Sequence, residues 1–267
     1  TNNTYGGIGF DCSTGKLVYP EDKRARALTE CTTLLEAERV SLREIQSAVG
    51  NSLFITKVLE PGRGFMAGLY EAAHLFEASC KQRNVPPRAR LFQLPERAKK
   101  SMRFFQKMLT AKVTSRTALP RKEWSFYARA DVVIHVDWTP QENHVYGISV
   151  LSHGQWAVIR PPEELIKKAQ GPISTSSVIM EGGAVKYAII LLKRLIRGKR
   201  VLIFTDNLGF QQVHEKLSSP TPEVDFLIQD IAMLQLEFDF SLRLEYVTTE
   251  LNLSDSLSHG DVQSFKD

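Results

Sequence analysis

The chain has 267 residues, 43% hydrophobic and 24% charged, with a formal net charge of +4. This composition excludes disordered, collagen-like and coiled-coil classes, and no run approaches the roughly 18 consecutive apolar residues of a membrane span. The charge is lopsided: residues 1–122 hold 21 Lys and Arg against 11 Asp and Glu, whereas residues 123–267 hold 13 against 19. A basic segment ahead of an acidic domain points to a polyanion partner and to a site that needs carboxylates.

In chain order, Gly6-Gly7-Ile8-Gly9-Phe10 and Lys16-Leu17-Val18-Tyr19 flank a Ser13-Thr14-Gly15 turn, which predicts a β-hairpin ending at Pro20. Pro20-Glu21-Asp22 opens a helix, with proline in the first turn and acids at the positive dipole end. Ser41-Leu42-Arg43-Glu44 fits a capping box, and Ile45, Val49 and Leu53 follow at helical spacing. Pro61-Gly62-Arg63-Gly64 breaks the chain before a helix over 65–80, and another amphipathic helix is expected over 96–109. Between residues 81 and 122 there are 13 basic residues and one acid, Glu96.

From Trp124 the pattern changes. Strands are expected at 130–136, 145–151, 155–159, 201–205 and 242–248. Helices are expected at 181–197, as an amphipathic segment, then at 207–217, at 223–238 and from Ser254 onward. This is a mixed-sheet α/β domain. Trp156 is expected in the sheet core, and Trp124, Phe126 and Tyr127 at the joint between the two parts. Cys12, Cys31 and Cys80 are widely spaced and fit no metal-ligand pattern, as expected of reduced thiols in the cytoplasm or nucleus. The N-terminal Thr1-Asn2-Asn3-Thr4 has no signal-peptide features, and a start at Thr suggests a fragment or processed chain.

Four acids fall where such a domain gathers side chains. Asp137 ends the first strand, Glu181 begins the long helix, Asp206 ends the fourth strand and Asp255 begins the last helix. Strand C-termini and helix N-termini meet at one sheet edge. Carboxylates gathered there without Cys or His suit hard cations such as Mg²⁺, with Mn²⁺ as a substitute. Two such ions roughly 3.5–4 Å apart stabilise both oxygens of a phosphodiester displacement. Taken singly, each acid is equally a helix cap, a turn former or a helix-dipole partner.

Taken in order, these residues resemble the ribonuclease H fold. Phe204-Thr205-Asp206-Asn207 looks like the third-acid motif of retroelement ribonucleases H, and Asn252-Leu253-Ser254-Asp255-Ser256-Leu257-Ser258 is similar to their closing motif. The resemblance spans about residues 125–262 and is closest to tyrosine-recombinase (DIRS-like) retrotransposons. It implies that Asp137, Glu181, Asp206 and Asp255 bind two Mg²⁺ ions and direct water at an RNA phosphodiester. Gly7-Ile8-Gly9-Phe10 through Lys23 resembles a reverse-transcriptase primer-grip hairpin, and Ser41–Gly50 with Pro61-Gly62-Arg63 resembles the thumb.

The implied organisation is a primer-grip-like β-hairpin over 1–20, a helical thumb and connection over 21–122, and a ribonuclease H-like domain over 123–267. No Tyr-x-Asp-Asp palm motif occurs, so a polypeptide bearing palm and fingers, or a host complex, is an expected partner. The pattern is also departed from: Trp138 follows the first acid in place of a small residue, Ser254 replaces Ala, and His259 replaces Arg. His259 reads either as an auxiliary acid-base group or as a solvated helix end. Arg97, Lys99, Lys100, Arg103, Lys107 and Lys112 are candidates for tracking phosphates, and Asn207 for contact with an RNA 2′-hydroxyl. Lys193, Arg194, Arg197, Lys199 and Arg200 form a second cluster, read equally as phosphate contacts or as helix-dipole partners. Two functional readings stay open: a nuclease acting on RNA–DNA hybrids, or a catalytically silent, domesticated retroelement fragment that binds nucleic acid or protein.

Overall fold

The computed structural model describes residues 2–5, 7–111, 115–117, 130–139, 147–170, 172–259 and 261. Lys112, Trp124, Phe126 and Tyr127 lie outside the described residues. The chain divides into two compact units, Thr1–Ala118 and Leu119–Asp267.

In the first unit, β1 (Asn2–Tyr5), β2 (Ile8–Asp11) and β3 (Lys16–Val18) are followed by α1 (Glu21–Glu36). Next come β4 (Val40–Ser41), α2 (Leu42–Ile55), a 3₁₀ turn (Glu60–Phe65), α3 (Ala67–Gln82), β5 (Leu91–Phe92), α4 (Glu96–Thr110) and β6 (Ser115–Thr117). The predicted hairpin is β2–β3, and β1 and β6 flank it in an antiparallel sheet of order β1-β2-β3-β6. Its turn is set by Asp11, whose carboxylate accepts from the Ser13 amide and hydroxyl and from Thr14 Oγ1, with Gly15 at φ +63°.

The capping box forms as the sequence implies. Ser41 Oγ accepts from the Glu44 amide at 3.3 Å, and Glu44 Oε2 accepts from the Ser41 amide at 2.7 Å. These bonds satisfy two backbone donors that the first turn of α2 would otherwise leave open. Ser41→Ala is expected to cost about 1 kcal/mol, read as an earlier urea midpoint for this unit. Ala98, Met102, Phe105 and Leu109 of α4 are buried, while Arg97, Arg103 and Lys107 are exposed. That segregation is the 3.6-residue period written in the sequence. Gly68 of α3 permits close packing on α4, since a Cβ there would lie 2.5 Å from the Arg97 carbonyl.

The second unit runs β7 (Val132–Thr139), β8 (Gly147–Ser152), β9 (Gln155–Ile159), α5 (Glu163–Lys168), α6 (Ile173–Leu191), α7 (Lys193–Ile196) and β10 (Arg200–Thr205). It continues with α8 (Leu208–Lys216), α9 (Pro222–Glu237), β11 (Ser241–Tyr246), a 3₁₀ turn (Thr249–Leu251) and α10 (Asp255–Ser258). The five strands form one mixed sheet of order β11-β10-β7-β8-β9. β10 lies parallel to both β7 and β11, whereas β7, β8 and β9 pair antiparallel. The α/β class with flanking helices therefore holds. Val132, Ile134 and Val136 alternate toward the helices and join Val150, Ile203, Val185, Ile189 and Ile231 in a single core.

Four sequence-based expectations are corrected. The long helix begins at Ile173 rather than Glu181, and it is buried on most sides over 179–189 rather than amphipathic. Wedged between the sheet and α9, it has little solvent face to mark its period. β7 runs two residues past Asp137, because Trp138 and Thr139 still pair with Ile148 and Gly147 of β8. Trp156 lies on edge strand β9 and keeps 40% exposure. The closing helix covers only Asp255–Ser258 among the described residues. At the opposite end of the parallel pair, Arg200 grips Asp131 through two side-chain bonds of 2.7 and 2.9 Å. Those bonds hold the Asp131 carboxyl down at about 2. Among the described residues, no helix is long and apolar enough to cross a membrane.

Candidate metal centre

Three of the four acids converge. Asp137, Glu181 and Asp206 each offer a ligand atom, and these atoms lie within 4.8 Å of one another. The sheet order explains the meeting, since β7 and β10 are neighbours and α6 packs across β7. Asp137 projects from β7, Asp206 follows the last residue of β10, and Glu181 comes from the third turn of α6. A start at Ile173 puts Glu181 deep within the helix, so its carboxylate does not serve the helix dipole at an N-terminus.

Burial is severe. Asp137 is 4% exposed and Glu181 1%. Loss of water pushes the Asp137 carboxyl up to about 7; the Ser258 hydroxyl opposes the rise, and the charges of Asp206 and Asp255 add to it. Glu181 is raised well above its usual range, first by burial and then by Asp137. Among the described residues, no Lys or Arg pairs with these three carboxylates. Each is instead held by a neutral hydroxyl. Thr205 Oγ1 donates to Glu181 Oε1, Thr249 Oγ1 donates to Asp206 Oδ2 at 2.9 Å, and Ser258 Oγ donates to Asp137 Oδ2. Buried charge normally comes with a counter-charge. An all-oxygen donor set that lacks one among the described residues is chemically suited to a hard divalent cation.

Asp255, the fourth acid expected at the site, is not among the three whose ligand atoms lie within 4.8 Å of one another. It is near enough to raise Asp137, yet its carboxylate lies outside the convergent three, with Oδ1 3.6 Å from His259 Nε2. As the first residue of a four-residue helix, its side chain runs along the same helix face as His259. Asn207 has an internal role. Its Oδ1 caps α8 by accepting from the Phe210 amide at 2.9 Å, and its Nδ2 donates to Ser177 Oγ at 2.8 Å. His135 stacks on Phe204 with centroids 4.8 Å apart, and burial lowers its pKa. Trp138 packs against the core.

Gly182 sits beside Glu181. A Cβ at this position would lie 2.5 Å from the Phe210 ring, which is fully buried. Gly182→Ala is therefore expected to push α8 and its Asp206–Asn207 lead-in away from α6. The cost should be about 1–3 kcal/mol, read as a lower melting temperature together with weaker divalent-ion binding.

In the basic segment, Arg97 pairs with Glu71 at 3.0 Å and Arg103 with Glu96 at 2.5 Å. Lys99 and Lys100 are half-buried and Lys107 is exposed. Of the second cluster, Arg200 is engaged by Asp131, and Arg197 lies over the Phe238 ring at 5.5 Å.

The sequence missed the hydroxyl partners Thr205, Thr249 and Ser258. Thr205, in the motif around Asp206, and Ser258, which ends the closing motif, carried a local signal; Thr249 carried none. Compared with known proteins, the chain matches no protein-family model and no curated protein.

Proposed function

We propose that the second unit is a metal-dependent ribonuclease H that hydrolyses the RNA strand of RNA–DNA hybrids, with Asp137, Glu181 and Asp206 as ligands. The observation that carries this reading is the convergence of three carboxylates, two of them buried, with no Lys or Arg partner among the described residues. The order of the acids supports the ribonuclease H identity: one on the first strand of a mixed five-stranded sheet, one on the long helix, one after the fourth strand. Divalent ions such as Mg²⁺ or Mn²⁺, two in the ribonuclease H reading, would supply Lewis-acid stabilisation of the attacking and leaving oxygens of the phosphodiester.

The chain's own groups have separate tasks. Asp137 and Glu181 are held by hydroxyls rather than by cationic side chains, so a metal would displace only the protons that burial retains there. Asp206 is the least buried of the three. Half-buried Asp255 and exposed His259 form an acid–imidazole pair that would serve as an auxiliary acid-base group.

The first unit is read as a thumb and connection of retroelement type. Lys99, Lys100 and Lys107, with Arg97 and Arg103, would grip the hybrid backbone. Exposed ion pairs such as Arg97–Glu71 are worth only about 0–1 kcal/mol, so exchanging them for phosphate costs little. A polypeptide bearing palm and fingers would complete the polymerase.

The test is cleavage of an RNA–DNA hybrid by the full chain in Mg²⁺, with each strand labelled in turn. RNA-strand cutting that Asp206→Asn abolishes is expected. Undiminished cutting by that variant contradicts the assignment, and hybrid binding without cutting favours the silent binding module.

A further inference from the structure

Ser258, the last residue of α10, is completely buried. Three groups lie within hydrogen-bond reach of its Oγ: Asp137 Oδ2 at 2.5 Å, Thr139 Oγ1 at 2.5 Å and the Asp255 carbonyl at 2.8 Å. A hydroxyl has one proton to give. Thr139 donates into it, so the Ser258 proton is left to choose between a carboxylate and a neutral carbonyl. A charge-assisted bond is roughly twice as strong as a neutral one, so the proton goes to Asp137.

The hydroxyl is also delivered rigidly. Asn252 Nδ2 donates to the Val136 carbonyl at 2.9 Å, and Ser149 Oγ donates to the Ser254 carbonyl at 2.8 Å. Both bonds are buried, and they dock the segment leading into Ser258 against β7 and β8. Asp137 itself has only two side-chain torsions, so one fixed oxygen determines where the other points.

We infer that Ser258, oriented by Thr139, is a positioning residue that holds Asp137 in the orientation from which it converges with Glu181 and Asp206. This rests on the metal-centre reading above and assigns the two hydroxyls a task that reading does not need. Partners of this kind, one bond removed from a metal, typically govern affinity by 10–100-fold, because a ligand free to rotate must be ordered on binding.

Ser258→Thr and Ser258→Val are the decisive pair. Their side chains are nearly identical in shape, and only the first keeps a hydroxyl. Mn²⁺ titration of the full chain, followed by electron paramagnetic resonance, is expected to leave the Thr variant within a few-fold of the parent. The Val variant should weaken by about 10-fold or more. Melting in chelator gives a separate readout: the Val variant, which leaves Asp137 and Thr139 without this hydroxyl, should melt below the Thr variant, and affinities are compared at a temperature where both are folded. Thr139→Val supplies a second, strand-borne variant that needs no change at the packed helix end; several-fold weaker Mn²⁺ binding is expected, and unchanged binding removes Thr139 from the role. Equal affinities for the Thr and Val variants, with a parent that binds, overturn the positioning role alone. A parent that binds no Mn²⁺ overturns the metal reading and the positioning role with it.

Discussion

Replacing Asp137 by Asn is expected to abolish hybrid cleavage while making the metal-free protein more stable. The loss of activity should be about 10³-fold or more, the scale for removing one member of a catalytic unit. The gain in stability has a separate origin. Asp137 is nearly fully buried, and its carboxyl is pushed up to about 7 by lost hydration and by the nearby charges of Asp206 and Asp255. At pH 8 the folded, metal-free protein must keep an unpaired carboxylate there, among like charges. Asn has the same shape, still accepts from Ser258, and carries no charge, so the variant should gain a few kcal/mol in chelator. Thermal melting at pH 8 in EDTA, alongside the cleavage assay, checks both halves. A variant that cuts normally, or that melts well below the parent, contradicts the account. A role confined to structure would lose stability with the substitution.

The second large effect is the pH dependence of the metal-free fold. Asp137 has a folded-state pKa above its unfolded value of 3.8. Its contribution to stability is therefore complete below about 4 and is lost as pH rises through about 7. Glu181 is raised in the same direction, which extends the decline upward. Asp131 works with the opposite sign: its carboxyl is lowered to about 2, so its contribution is lost only as pH falls through that value. The two windows do not overlap.

In EDTA, the urea midpoint of this unit should fall steadily from pH 5 to pH 8. Saturating Mg²⁺ should flatten or reverse the fall, because a metal takes the deprotonated carboxylates. Stability that rises across this range in EDTA, or an identical slope with Mg²⁺, would mean that the cluster is not a cation site.

Much of the second unit could be read from short local patterns. Val132–Val136 and Val201–Thr205 are β-branched runs, and the His153-Gly154 turn predicts the β8–β9 hairpin, with both residues at positive φ. The capping box at Ser41 depends on residues three apart and was equally visible. What escaped depended on distance or on burial. The first turns of α6, Ile173-Ser174-Thr175-Ser176-Ser177, have poor helix propensity and no periodic signal, so Glu181 looked like a start. Paired segments as short as β4 and β5 leave no pattern to detect. Ser258 meets Asp137 across 121 positions of sequence, and nothing local connects them. Which of the four acids bring ligand atoms within 4.8 Å of one another is likewise a matter of tertiary docking, which the spacing of a closing motif does not encode.

The most direct test of the central claim is an anomalous difference map from crystals of this chain soaked in Mn²⁺ above pH 7. A peak enclosed by the Asp137, Glu181 and Asp206 carboxylates, and absent from Asp137→Asn crystals soaked alike, is the expected result. No peak at that position under saturating Mn²⁺, with the three carboxylates still converged, would contradict it.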